Sequence, residues 1–249
     1  MLRTVAATAL TLLAVTSVSF AQNDTTDKSG GKQETKLEDR AKSAAHVLAN
    51  LVSDPANKPP SGLLRAAVCI AVVPSVKEGA FVVGGKVGYG LAACRVGPGW
   101  SLPTYMSLKA GSIGFQAGGQ ASDVVLIFTH DDAPTLIASS NFEIGAGASV
   151  AAGPVGTSIS ANTDFKKGAA IYSYSTKGAG LFAGVSVAGS SFKLDAKGNR
   201  TAYPSTIPTS ADKSPDVAYL VKTRADNKNT PAMIKPFTTA LEQRLGSVR

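Results

Sequence analysis

The sequence predicts an α+β fold: a mostly antiparallel, closed or two-layer β core with an N-terminal helix and C-terminal helices. Short β-branched apolar runs recur through the middle of the chain, and turns rich in Gly and Pro separate them, which predicts the β core. Apolar residues at helical spacing near both ends predict the helices. With 249 residues, 44% of them hydrophobic, the chain can bury a sizeable core in one large or two small domains.

Residues 1–21 have the three parts of a secretory signal peptide: a positive start at Arg3, an apolar run to Val18 and an ending in Ala21. The apolar run is shorter than the roughly 20 residues that a membrane span needs. We therefore expect cleavage after Ala21 and a periplasmic or secreted protein, and a single-span anchor is the alternative. Loss of Arg3 leaves the mature chain basic, because the whole chain carries a net charge of +8.

Residues 22–34 are polar and are expected to form a disordered lead-in. Thr35 and Glu38 then fit a capping box, and the following apolar residues have helical spacing. These residues are Leu37, Ala41, Ala44, Leu48 and Leu51. The predicted helix ends before Asp54-Pro55. It either lies on a membrane surface or packs on the sheet, and its alanine-rich face favours packing.

The stretch from residue 66 to 95 is expected to organise the fold. Its apolar runs at 69–73, 81–83 and 91–93 predict a three-stranded antiparallel unit. A glycine-dense turn, containing Gly84, Gly85, Gly88 and Gly90, is expected between the second and third runs. Lys86 lies among these glycines, where open backbone N–H groups suit an anion; a solvent-exposed turn lysine is the alternative.

Further strands and helices are predicted from residue 100 onwards. Strands are expected at 102–108, 113–117, 124–129, 142–148, 155–159, 169–174, 181–187 and 191–194. Asp132 is expected to cap a helix over 133–138, and a turn is expected at 195–199. Helices that start near Asp216 and at Phe237 are expected in a loosely docked extension over 206–249.

In unbroken order, residues 35–205 resemble the SYLF (Ysc84-type) domain family in its bacterial, exported form. The matching segments are 71–77 (AVVPSVK), 79–86 (GAFVVGGK), 94–95, 99–101, 111–116, 122–125, 151–156, 163–164 and 180–185. The resemblance implies a lipid-binding domain; eukaryotic members are associated with phosphoinositide membranes and some with actin. It implies no enzymatic activity.

The motifs of other function classes are missing from the sequence. It has no Gly-x-Ser-x-Gly elbow, no metal-ligand spacing around its two histidines, and Val87 where a phosphate loop needs Ser or Thr. His130-Asp131-Asp132 could offer metal ligands, but a solvated turn is the favoured interpretation. Base-stacking aromatics interleaved with arginines are also absent. We expect no catalytic residues, no metal or other cofactor and no nucleic-acid partner.

The predicted function is therefore non-catalytic binding of anionic, phosphoinositide-type phospholipid, which makes the protein membrane-associated in the bacterial cell envelope. The resemblance supplies the lipid, and the basic charge is compatible with it. The candidate head-group cations are Lys77, Lys86, Arg95 and Lys109. The alternative is a structural or protein-interaction module of the envelope, whose protein partner the sequence does not identify.

Cys69 and Cys94 are the two cysteines of the chain, and an oxidising compartment favours a disulfide between them. They stand near the outer ends of the predicted three-stranded unit. A bridge forms there only if the first and third strands are adjacent or the sheet curls. Two buried, unpaired thiols are the alternative.

Overall fold

Helices from both ends of the chain flank a central run of strands. The computed structural model describes residues 28–55, 58–79, 83–113, 120–139, 141–145, 149–153, 168–177, 180–183, 187, 189–203, 207–209 and 215–246. The α-helices are α1 (Lys28–Ser53), α2 (Ser61–Ala66), α3 (Ala133–Ala138), α4 (Ala196–Ala202), α5 (Val217–Leu220) and α6 (Lys235–Leu245), and a 3₁₀ turn spans Ala232–Ile234.

The strands form one mixed sheet. They are β1 (Cys69–Gly79), β2 (Val83–Val96), β3 (Gly99–Trp100), β4 (Thr104–Ile113), β5 (Gln120–Phe128), β6 (Asn141–Glu143), β7 (Val150–Ala152), β8 (Ile171–Lys177), β9 (Gly180–Ala183) and β10 (Ser190–Leu194). The order is β6-β10-β4-β2-β1-β5-β8-β7, with β3 beside β2 and β9 beside β8. All pairs are antiparallel except β7 with β8. This arrangement confirms the predicted α+β class.

The sheet buries side chains on both faces because successive residues of a strand point to opposite sides. On the helix face, Ile70, Val72, Leu91 and Tyr105 pack with α1 and α6. On the opposite face, Ala71, Val73, Leu108, Phe128 and Phe192 pack with α3 and α5. Among the described helices, we find none with both the length and the apolar character of a membrane crossing.

Helix α1 begins at Lys28, inside the segment that was expected to be disordered. The capping box does not form, because the Thr35 hydroxyl donates to the Gly31 carbonyl within the helix. From Leu37 onwards one face is buried on the sheet by the predicted apolar residues. The favoured alternative, a helix that packs on the sheet, therefore describes this part of α1.

The glycine-dense turn predicted at 84–90 is wrong, since Gly84, Gly85, Gly88 and Gly90 all lie inside β2. The pairing of β1 with β2 shifts between Val72 and Lys77, where Ser75 has a positive φ of 48°. At this bulge a Cβ on Gly90 would lie 2.0 Å from the Val72 carbonyl oxygen. The glycines give β2 room to pass the bulge, so the three-stranded unit is one long hairpin.

Two other local predictions are corrected. The turn expected at 195–199 is the start of α4, because the Asp195 carboxylate accepts from the Gly198 N–H and begins a helix. Helix α3 has its predicted bounds, but the Asp132 side chain makes no capping hydrogen bond. The strand predicted at 155–159 lies outside the described residues, as does most of the one predicted at 113–117.

Helix α6 is part of the core, which corrects the expectation of a loosely docked tail. Phe237, Leu241 and Leu245 are fully buried in the cluster that includes α1. The Arg95 guanidinium also donates to the Leu245 carbonyl at 3.1 Å, and stacks 4.4 Å from the ring centroid of Trp100. The helix docks because its apolar stripe is buried against residues that are distant in the sequence. The sequence alone shows this stripe only as apolar residues at four-residue spacing.

A disulfide joins Cys69 and Cys94, with 3.9 Å between the Cα atoms. The two residues are direct partners in the pairing of β1 with β2. The proximity therefore comes from one hairpin rather than from a first strand beside a third. Both cysteines are fully buried, on the face of the sheet that packs with α3 and α5.

Removing this cross-link is expected to lower the free energy of unfolding by roughly 3 kcal/mol, because the unfolded chain regains the freedom of a closed loop. Chemical denaturation of the Cys69→Ala/Cys94→Ala variant measures the loss. Each single Cys→Ala variant should lose about as much, since either change removes the same bond. Two free thiols in the denatured, unreduced wild type would contradict the prediction.

Candidate functional site

The pairing of three neighbouring strands aligns two of the predicted cations. Lys77 of β1 pairs with Val87 of β2, and Val87 pairs with Lys109 of β4. Directly paired residues project from the same face of a sheet, so these three side chains form a row. Val87 is four residues from the buried Leu91 on the same strand, which places the row on the helix face.

A second row lies between this one and the part of the sheet that α1 covers. Tyr89 of β2 pairs with Ser107 of β4, which pairs with Lys193 of β10. Tyr89 is 47% exposed and Val87 is 38% exposed. We call the group formed by Lys77, Val87, Tyr89, Lys109 and Lys193 the lysine platform.

The lysine platform has an apolar centre and a cationic border. Lys77, Lys109 and Lys193 are all exposed. Strand spacing places the Cα atoms of Lys77 and Lys109 about 10 Å apart, and the diagonal pair Lys109 and Lys193 roughly 7–8 Å apart. The side chains can therefore contact separate anionic groups, or one group with several charges, around Val87 and Tyr89.

Helix α1 reaches the border of the platform through Arg40. The Arg40 guanidinium carbon lies 4.9 Å from the ring centroid of Tyr89 and 5.5 Å from that of Tyr105. Its Nη1 also lies 2.8 Å from Oδ2 of Asp195, in a partly buried ion pair. This pair neutralises the carboxylate beside the platform, which leaves the border cationic.

The other two predicted cations lie elsewhere. Lys86 neighbours Val87 on β2 and so projects from the opposite face, in register with Glu78 and Ala110. Arg95 lies at the far end of β2, where it stacks on Trp100 and binds the end of α6. The structure therefore brings together Lys77 and Lys109 but separates Lys86 and Arg95 from them.

Three members or neighbours of the site were not predicted from the sequence: Tyr89, Lys193 and Arg40. Lys193 is a diagonal neighbour of Lys109 in the pairing of β10 with β4, and these two strands are far apart in the sequence. Within the described residues, no group of three or more His, Cys, Asp or Glu side chains could hold a metal ion.

The lysine platform is an exposed, cation-bordered surface on one face of the sheet. Comparison with known proteins places the domain in a family. Residues 109–243 match the family model Ysc84, described as "Las17-binding protein actin regulator". The chain belongs to the Ysc84 (SYLF) family.

The relatives are larger proteins. The chain is 31% identical over 176 residues to SH3 domain-containing YSC84-like protein 1 of Rattus norvegicus and of Homo sapiens, covering 68% of this chain and 51% of each relative. It is 33% identical over 181 residues to LAS seventeen-binding protein 3 of Saccharomyces cerevisiae, covering 67% of this chain and 38% of the yeast protein. The chain thus spans only part of each relative's length.

Proposed function

We propose that this chain binds anionic phospholipid head groups at a membrane surface through the lysine platform, without catalysing a reaction. The observation that supports the proposal is the row of Lys77, Val87 and Lys109, with Tyr89 exposed beside it. Lysines near an anionic membrane surface contribute about 1 kcal/mol each to binding. Aromatic side chains favour the interface between head groups and hydrocarbon.

Flotation with vesicles tests the proposal. Wild-type protein should bind phosphatidylcholine vesicles that contain about 30% phosphatidylglycerol at low salt, and bind less as salt screens the charges. Replacing Lys77, Lys109 and Lys193 with Gln should weaken binding on the order of a hundredfold, because three such contacts are lost. The exposed residues Lys222, Lys228 and Lys235, changed to Gln, provide a control with the same loss of charge.

The control variant should retain most of the wild-type affinity. An equal loss in both triple variants would mean that net charge, rather than the platform, controls binding. If wild-type protein fails to float at low salt, the lipid proposal is overturned.

A protein-interaction module is the second candidate, since the names of the family model and the yeast relative refer to binding Las17. The same exposed platform could contact an acidic protein surface, because its cations are not specific to lipid. This candidate predicts a protein partner in pull-downs and indifference to lipid composition. Flotation that depends on phosphatidylglycerol would therefore favour the membrane over this alternative.

We also propose that the domain acts in the bacterial cell envelope after removal of residues 1–21, which lie outside the described residues. The support is the signal-peptide pattern and the disulfide, a bond typical of oxidising compartments. The measurement is the N-terminal sequence of the mature protein isolated from its source. The expected start is Gln22, and an intact Met1 or Leu2 would contradict export by cleavage.

A further inference from the structure

Tyr89 is the most exposed large apolar side chain in the described part of the chain, yet one side of its ring is covered. The guanidinium of Arg40 stacks on it at 4.9 Å from the ring centroid. An exposed aromatic side chain ordinarily changes rotamer within nanoseconds. A stacked cation favours one ring orientation, and the guanidinium plane suits this contact better than an ammonium group does.

Arg40 is itself held in place from two sides. Its neighbours on α1, Leu37 and Ala41, are buried on the sheet, which fixes the helix. Its Nη1 contacts Oδ2 of Asp195, while Oδ1 of Asp195 accepts from the Gly198 N–H at the start of α4. The position of the guanidinium is thus set by α1 and by Asp195 at the start of α4, independently of Tyr89.

We infer that Arg40 is a positioning residue for the lysine platform: it holds the ring of Tyr89 in the orientation that enters the membrane interface. The part of the inference that is tested by vesicle binding rests on the proposed function. It assigns Arg40 no contact with lipid, because its Nη1 is engaged with Asp195 and its side chain is 18% exposed. Binding at the platform and docking of α1 on the sheet are then coupled through one contact.

The vesicle affinities of a set of variants separate this role from simple charge. With the phosphatidylglycerol vesicles used above, Arg40→Met should lower affinity about three- to tenfold, the size of one aromatic–cation contact. Arg40→Met also leaves the Asp195 carboxylate unpaired beside the platform, so Arg40→Met/Asp195→Asn is measured as well, because it removes both charges of the pair. The loss in this variant should be similar at 50 and 150 mM NaCl, since the net charge beside the platform does not change. Arg40→Lys, which keeps the charge but not the planar group, should also bind more weakly than wild type.

The triple variant Arg40→Met/Asp195→Asn/Tyr89→Ser, which keeps the pair neutral, should bind no more weakly than Tyr89→Ser alone, since Arg40 acts through that ring. Lys42→Met is the matched control: it removes one cation from the same helix, where Lys42 pairs with the exposed Glu38 at 2.7 Å. Its affinity should match that of the wild type. Weaker binding of the triple variant than of Tyr89→Ser, or full affinity in Arg40→Lys, would overturn the inference.

A second readout needs no lipid. In protein labelled with 3-fluorotyrosine, the ¹⁹F signal of Tyr89 is the one that disappears in Tyr89→Phe. Arg40→Met should move this signal toward the position of free fluorotyrosine, and Lys42→Met should leave it in place. An unchanged signal in Arg40→Met refutes the positioning role, whereas failure of wild-type flotation refutes only the proposed function.

Discussion

Replacing Gly90 with alanine is expected to lower the free energy of unfolding by about 3 kcal/mol or more. The new Cβ would lie 2.0 Å from the Val72 carbonyl oxygen and 2.8 Å from the Val73 Cα. Both atoms belong to the backbone of β1, which cannot move aside as a side chain can. The β1 bulge would have to shift, together with the row that aligns Lys77 with Lys109. Urea denaturation measures the loss.

Gly111→Ala is the matched control for this prediction. Gly111 lies on β4, the strand on the other side of β2, and a Cβ there would meet nothing within 4 Å. Its stability should stay within about 0.5 kcal/mol of wild type, as for an ordinary surface substitution. Equal losses of stability at Gly90 and Gly111 would contradict the prediction. They would show that the conformational freedom of glycine, rather than the close approach of β1 to Gly90, controls the effect.

Alkaline pH is expected to destabilise the fold by about 4 kcal/mol between pH 9 and pH 11. Burial raises the pKa of Tyr105, Tyr174 and Tyr203 above the ordinary value near 10. These phenols stay protonated in the folded state, while the unfolded chain releases their protons. The stability that they contribute is therefore complete below pH 10 and falls as pH rises, and each tyrosine accounts for about a third of the loss at pH 11.

Urea denaturation at pH 9, 10, 10.5 and 11 tests the slope, with Tyr105→Phe as the comparison. This variant keeps the buried ring and loses the hydroxyl that donates to the Leu37 carbonyl. Its alkaline loss should be smaller than that of wild type by about a third, because two of the three phenols remain. An identical slope in both proteins would assign the loss to other groups.

The sequence predicted elements whose cause is local. Leu37, Ala41 and Ala44 lie on one side of a helix whatever packs against them, and the β-branched run of β1 is a strand in any sheet. Gly90 was misplaced because a turn glycine and a strand glycine that passes a bulge look alike in sequence. The difference depends on Val72, a residue on another strand.

The site shows the same limit more sharply. Lys77 and Lys109 could be proposed one by one as exposed cations, but their alignment depends on the register of β1, β2 and β4. Lys86 lies outside the platform because successive residues of a strand point to opposite faces of the sheet. This could not be predicted until residues 84–90 were known to be part of a strand. Arg40 contacts the site because α1 packs across the sheet next to Tyr89, and no local sequence pattern predicts that packing.

The packing of α6 against α1 has a consequence for how the chain acquires its structure. Most of the sequence lies between Ser53 and Lys235, and both helices contribute to one core cluster. At a synthesis rate of about 5–20 residues per second, α6 is completed on the order of ten seconds or more after α1. Until then the part of the α1 surface that packs on α6 stays uncovered, so this core cluster is complete only after α6 has been synthesised.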